Sequence, residues 1–154
     1  MDYLILKWLH VLSSTVLFGT GIGSAFFLLF TSLSRDVRAI ASVTRYVVIA
    51  DWLFTATTAI LQPLTGFWMV MQAGLPLSLP WLSWSIGLYV VAIACWLPVV
   101  WLQIRMRDLA QEAASGDTVL PPAYWRFLRI WVALGAVAFI CFMLIFYLMI
   151  MKRF

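Results

Sequence analysis

The sequence predicts an all-α fold, an antiparallel bundle of four transmembrane helices. Three observations predict it. The 154-residue chain is 65% hydrophobic and 10% charged, whereas a soluble domain is about 25% charged. A chain with so little polar surface cannot cover itself in water, so its solvent is lipid. The charges are also widely spaced: 27 uncharged positions separate Lys7 from Arg35, 53 separate Asp51 from Arg105, and 22 separate Arg129 from Lys152. A bilayer core of about 30 Å is crossed by about 20 apolar helical residues. The first and last gaps therefore suit one span each, and the middle gap suits two. Finally, the middle gap carries its own break, Ala73-Gly74-Leu75-Pro76-Leu77-Ser78-Leu79-Pro80, because glycine and proline end helices and make turns.

The first helix is expected over residues 3–30. Asp2 precedes the apolar run, and the run is too long for a signal-peptide core. The segment therefore reads as a retained helix. Arg35, Asp36 and Arg38, with Ser32 and Ser34, read as a short charged loop. The second helix, over 44–72, holds Asp51 inside it and Gln62-Pro63 at its middle. The third, over 81–104, contains Pro98, which is expected to kink it. The stretch from Arg105 to Pro122 is water-loving, and its first half can continue the third helix until Ser115-Gly116-Asp117 stops it. Pro121-Pro122 leads into the fourth helix, over 124–151. The chain, 1–154, reads as a single membrane domain.

Lysine and arginine set the expected orientation. Arg35, Arg38, Arg45, Arg105, Arg107, Arg126 and Arg129 gather at the first and third connections, against Lys7, Lys152 and Arg153 at the other end. Both termini are then periplasmic and both charged connections cytoplasmic. Trp8, Trp68, Trp81 and Trp84 form an outer aromatic belt, and Trp101, Trp125 and Trp131 an inner one. The net charge of +4 sits at helix ends and is no nucleic-acid footprint. Cys95 and Cys141, lone cysteines in apolar helices, read as packing residues.

Few side chains can carry chemistry. His10 is the chain's single histidine. It shares a helix face with Ser13, Ser14, Leu17, Gly21 and Ser24. Its imidazole can ligate a metal or haem iron, carry a proton, or hydrogen-bond a neighbour such as Ser14 or Thr65. Asp51 is expected about 10 Å inside the second helix, at the start of a polar stripe through Thr55, Thr58, Gln62, Thr65 and Met69. It serves either as a proton-handling catalytic group or as half of an ion pair with Arg45 or Arg105. The two stripes face each other if the first two helices are antiparallel neighbours. His10 then stands near Thr65, with Gln62 and Met69 within a turn, and Asp51 stands near Gly23 and Ser24. The run Gly19 to Ala25 lets a neighbouring helix approach, or lets a flat cofactor lie on the backbone at Gly21. Phosphate-binding loops, HExxH, CxxC and GxSxG are absent, which removes the usual support for hydrolase or nucleotide-driven activity.

The segments LKWLHVLSSTVLFGTGIG, Val48-Ile49-Ala50-Asp51-Trp52-Leu53-Phe54, Gln62-Pro63-Leu64-Thr65-Gly66 and Trp96-Leu97-Pro98-Val99-Val100-Trp101 carry a resemblance. The chain resembles bacterial inner-membrane proteins known as domain of unknown function 2269, which bring no activity with them. Lys7, Trp8 and His10 are also distantly similar to the first helix of HemJ-type and CopD-like haem or copper membrane proteins. That likeness implies b-type haem on His10. A second histidine is lacking, so the partner ligand is Met69, none, or the His10 of a second copy in a homodimer.

The functional expectation is a small inner-membrane protein with an intramembrane polar pocket between the first two helices. The pocket holds b-type haem or a quinone-like ligand in electron or proton handling, with a redox partner. His10 is its metal or cofactor ligand, Gln62, Thr65, Met69 and Gly21 bind the cofactor, and Asp51 manages the proton. The alternatives are cofactor-free proton or small-solute transport, and a non-catalytic membrane partner subunit.

Overall fold

A computed structural model describes residues 2–152. Arg153, counted above for orientation, lies outside them. Four helices are long and apolar enough to cross a membrane: α1, Tyr3–Ser34; α2, Val37–Gln72; α3, Pro80–Ser115; and α4, Pro122–Met151. No strand occurs among the described residues. The protein is an all-α four-helix transmembrane bundle. Its short connections, Arg35–Asp36, Ala73–Leu79 and Gly116–Pro121, make successive helices antiparallel neighbours.

Local chemistry accounts for the boundaries. Asp2 caps α1, accepting from the Leu4 N–H at 3.2 Å. Arg35 ends α1 in a left-handed conformation with φ 58°. Asp36 then caps α2 at once, accepting from the N–H groups of Arg38 at 3.0 Å and Ala39 at 3.1 Å. The second helix therefore starts seven residues before position 44. The charged loop expected there shrinks to Arg35 and Asp36, because Asp36 is an N-cap and Ile40, Thr44 and Val47 form a buried helical face behind it. α3 begins on Pro80, passes through Pro98 without interruption, and runs to Ser115, where Gly116 caps it. α4 begins on Pro122, a favoured first helical position.

Two irregularities shape α2. Residues Asp51–Thr55 form a π-turn, with the Ala56 N–H bonded to the Asp51 carbonyl. Pro63 lies inside the following segment. It lacks the N–H that would bond the carbonyl four residues earlier, and the Tyr89 hydroxyl of α3 donates to that Ala59 carbonyl instead.

The tightest packing lies at the end bearing the α1–α2 and α3–α4 connections. Leu28, Ile40, Val47, Leu102, Met106 and Tyr124 are buried in one cluster drawn from all four helices. Ser32 Oγ donates to the Leu28 carbonyl at 2.7 Å, so the Tyr124 hydroxyl, 2.7 Å away, donates to Ser32. Arg38 meets Asp117 at 3.4 Å across the two connections, an exposed pair of small energetic weight. Towards the other end the helices divide into two pairs, α1 with α2 and α3 with α4. The Val37–Ala50 part of α2 packs mainly on α3, and the Ala56–Gln72 part packs on α1. α3 and α4 pack along their length, whereas α1 and α4 barely touch. Phe18 of α1 bridges that gap, stacked on Phe139 at 5.6 Å and edge-on to Phe146 at 5.1 Å.

The tryptophans divide unevenly. Trp8, Trp68, Trp84 and Trp101 are exposed, but Trp131, expected in the inner belt, is buried. Its indole N–H has a partner inside the bundle.

Candidate functional site

Asp51 opens the π-turn about 21 Å along α2 from Val37, at 1.5 Å per residue. That is deeper than the sequence suggests, because α2 starts earlier than expected. π-turns often mark functional positions in helices. Here the turn leaves both Asp51 and Thr55 buried. Neither Arg45 nor Arg105 pairs with Asp51. The ion pairs among the described residues are Arg38–Asp117 and Arg107–Asp108, and Arg45 and Arg105 are exposed. The partner of Asp51 is Gln103 of α3. In the amide orientation that satisfies both neighbours, Gln103 Nε2 donates to Asp51 Oδ2 at 2.7 Å and its Oε1 accepts from Trp131 Nε1 at 3.2 Å. A hydrogen-bonded line thus runs from α4 through α3 to α2. Thr55 and Trp96 turn their donors towards the same carboxyl, although neither Thr55 Oγ1 nor Trp96 Nε1, both buried, closes to a full hydrogen bond with it.

These polar groups form one wall of a cavity of about 560 Å³. The rest is apolar apart from Ser24, and includes Leu17, Phe18, Ala92, Val99, Phe139 and Phe142. Gly21 of α1 and Gly135 of α4 also line it. A Cβ added at either would meet no atom within 4 Å. The expectation that the glycine run brings a helix close is therefore corrected: Gly19, Gly21 and Gly23 all border open space.

His10 occupies a separate polar cluster. Its Nδ1 lies 2.8 Å from Thr65 Oγ1. Thr65 directs its own hydrogen to the Leu61 carbonyl at 2.7 Å, so His10 Nδ1 carries the proton and donates. Nε2 then keeps its lone pair and forms no hydrogen bond among the described residues. The ring lies on Gly66, where an added Cβ would stand 3.1 Å from His10 Cε1. One turn along α1, the Ser13 hydroxyl donates to Gln62 Oε1. Met69 is half-buried one turn beyond Thr65 and makes no hydrogen bond to His10.

The candidate residues therefore fall into two groups. His10, Gln62 and Thr65 come together, with Ser13 added. Gly21 belongs with Asp51. Thr65 is 14 positions from Asp51, about 21 Å along the helix. The single pocket expected between α1 and α2 is thus two sites, and the cavity draws on all four helices. Gln103, Trp96 and Trp131 were missed from sequence. The available signal was a glutamine inside the apolar run Val99-Val100-Trp101-Leu102-Gln103-Ile104, one helical face along from Trp96.

For a haem, His10 offers one ligand nitrogen, Nε2, oriented by the Thr65 contact in the manner of an outer-shell partner. No group of three or more His, Cys, Asp or Glu side chains gathers for a metal ion among the described residues. His10 lines neither the Asp51 cavity nor the groove at Trp84 and Tyr147.

Residues 4–153 match a family described as "Predicted integral membrane protein (DUF2269)". Neither the curated proteins nor the solved structures give a match.

Proposed function

The chain belongs to the DUF2269 family of predicted integral membrane proteins, and we propose that it holds a quinone-like, lipid-soluble ligand in the cavity at Asp51 and passes a proton to or from it when a redox partner supplies or removes the electrons. One observation carries the reading: an apolar intramembrane cavity of about 560 Å³ that ends on a buried carboxyl and two unpartnered donors. Ligand cavities run to about 300–1,000 Å³, mostly apolar with a few polar groups. A carboxyl inside a membrane is a functional candidate by default. Asp51 serves as the proton-handling group, Gln103 orients it, and Gly21 and Gly135 leave room for the ligand body. The test is saturable binding of a short-tailed quinone analogue to the protein in nanodiscs. Gly135→Leu, which fills the cavity, should weaken it at least about tenfold. Absence of saturable binding overturns the reading.

The proposed setting is a bacterial inner membrane with both termini periplasmic. It is supported by seven arginines at the two-connection end against Lys7, Lys152 and Arg153 at the other.

A second reading puts b-type haem on His10. It is favoured by the Nδ1–H bond to Thr65, which leaves Nε2 as the ligand nitrogen. The opposite ligand is then Met69, none, or His10 of a second copy in a homodimer. A visible spectrum after haem supply tests it. His10→Ala should abolish the bands, and Met69→Leu should convert low spin to high spin only if Met69 ligates. A colourless protein ends this reading and leaves the Asp51 cavity untouched.

A further inference from the structure

The seam between α1 and α4 forms a trough with two closed ends. The two helices barely touch, and Gly21 and Gly135 border open space. Ile22 and Phe26 of α1, with Val132 and Ile140 of α4, line the Asp51 cavity and are also exposed on the outer face of the bundle. Deep in the membrane the seam is closed by Phe18, stacked on Phe139 at 5.6 Å. At the two-connection end it is closed by a cation–π contact, with Arg35 Cζ 5.6 Å from the centre of the Trp125 ring.

Two arginines stand at the Trp125 end. Arg129 lies one turn along α4 from Trp125 and one turn from Val132, and both Arg35 and Arg129 are exposed. The Cα–Cβ bonds of a helix tilt towards its N-terminus, so Arg129 leans back towards the level of Arg35. Neither arginine has a carboxylate partner. Among the described residues Asp117 pairs with Arg38 and Asp108 with Arg107, and Asp36 is taken up by the N-cap of α2. Arg126 is turned aside to Phe127, 5.7 Å from its ring centre. From Arg129 to Phe139 the trough runs ten positions, about 15 Å at 1.5 Å per residue. A bilayer core of about 30 Å gives each leaflet the same depth.

A guanidinium pairs with phosphate through two parallel hydrogen bonds, and basic pockets between transmembrane helices take anionic lipid headgroups. A zwitterionic headgroup offers the same phosphate with a cation attached, which two arginines repel. A free phosphate gains nothing from an apolar trough. We infer that the seam seats one anionic phospholipid of the leaflet at the two-connection end. Its phosphate rests on Arg35 and Arg129, and one acyl chain lies down the trough to the Phe18–Phe139 stack. The chain then lies across the mouth of the Asp51 cavity, and the seat does not depend on what that cavity holds.

The experiment is native mass spectrometry of the full chain in a neutral detergent. It is titrated with dioleoylphosphatidylglycerol or dioleoylphosphatidylcholine, which share their chains and differ in headgroup. The glycerol lipid should bind about tenfold tighter, the size of one hydrogen bond to a charged group. Arg129→Gln should erase most of that preference and leave the choline lipid's affinity alone. Arg35→Asn, which suits the left-handed backbone at that cap, should do the same, and Arg129→Gln carries the test if that cap loosens. Arg45→Gln combined with Arg105→Gln removes two charges from the same end, on α2 and α3, and should leave the preference intact. Ala136→Phe, which narrows the trough, should weaken both lipids. Equal affinity for the two lipids overturns the inference. A preference lost as readily in the Arg45 and Arg105 variant belongs to the basic rim as a whole and overturns the seat. Binding indifferent to Ala136→Phe overturns the place of the chain. A quinone analogue that fails to bind leaves all these outcomes unchanged.

Discussion

The hydroxyl of Tyr89 in α3 donates to the carbonyl of Ala59 in α2, the carbonyl that Pro63 leaves without its helical donor. One side chain thus repairs a gap that proline opens in a neighbouring helix. Tyr89→Phe should cost about 1–3 kcal/mol, the penalty of a buried carbonyl with no partner. Pro63→Ala returns an N–H to that carbonyl. In its background Tyr89→Phe should cost less, by on the order of 1 kcal/mol. Reversible unfolding of the four proteins in mixed micelles measures the coupling, and equal costs in both backgrounds would place the role of the hydroxyl elsewhere.

Asp51 pairs with a neutral amide, so Asp51→Asn strands no charge and keeps an oxygen for Gln103 Nε2. Its stability should stay within about 1 kcal/mol of the parent, the net size of a single hydrogen bond. Gln103→Leu removes the partner of both Asp51 and Trp131 and should cost about 3 kcal/mol, two unsatisfied buried groups at about 1–3 kcal/mol each. The order of the two melting temperatures is the readout. If Asp51→Asn is the more damaging, the carboxylate has a charged partner after all, since breaking a buried ion pair costs about 3–5 kcal/mol.

Gly66 leaves the room that His10 fills. A methyl at Gly66 would stand 3.1 Å from His10 Cε1, so Gly66→Ala must push the ring and loosen its 2.8 Å contact with Thr65. The expected cost is about 1–2 kcal/mol, typical of overpacking. In a His10→Ala background the same change should stabilise by about 0.5–1 kcal/mol, the ordinary preference for alanine within a helix. A sign that does not reverse between backgrounds would falsify the packing argument.

A reporter active only in the cytoplasm should stay silent when fused after Phe154, and should signal when inserted at Asp117 in the α3–α4 connection. The reverse pattern inverts the proposed orientation.

The bundle is legible in the sequence because charges are costly in lipid and their spacing marks the spans directly. The level of His10 opposite Thr65 is legible too, since short connections and a fixed helical rise leave little freedom. Asp36 is harder to read, because a cap is defined by the buried helical face behind it, and a charge run alone looks the same as a loop. Nothing in Asp51-Trp52-Leu53-Phe54-Thr55 announces a π-turn, because Asp51 and Thr55, four apart, fit one face of an ordinary α-helix equally well. Charge alone points Asp51 towards an arginine. The bundle instead brings Gln103 to it from α3, a tertiary contact that one-dimensional spacing does not contain. The open space at Gly21 is hidden for a related reason, since a glycine marks either a close approach or a vacancy and only the neighbouring helix decides which.

The π-turn has a mechanical meaning. Each residue of an α-helix advances the winding by about 100°, so one extra residue in the turn sets the two halves of α2 at a fixed angular offset. Ile40 and Val47 are buried in the cluster shared with α3, and Thr65 meets α1 through His10. Trp52 and Leu53, each 58% exposed, can be exchanged for other apolar residues without disturbing that offset. Deleting any one residue of 51–55 cancels it and swings Thr65 away from His10 while the Ile40 face stays seated. The number of residues between Val48 and Thr58, more than their identity, keys one half of the molecule to the other.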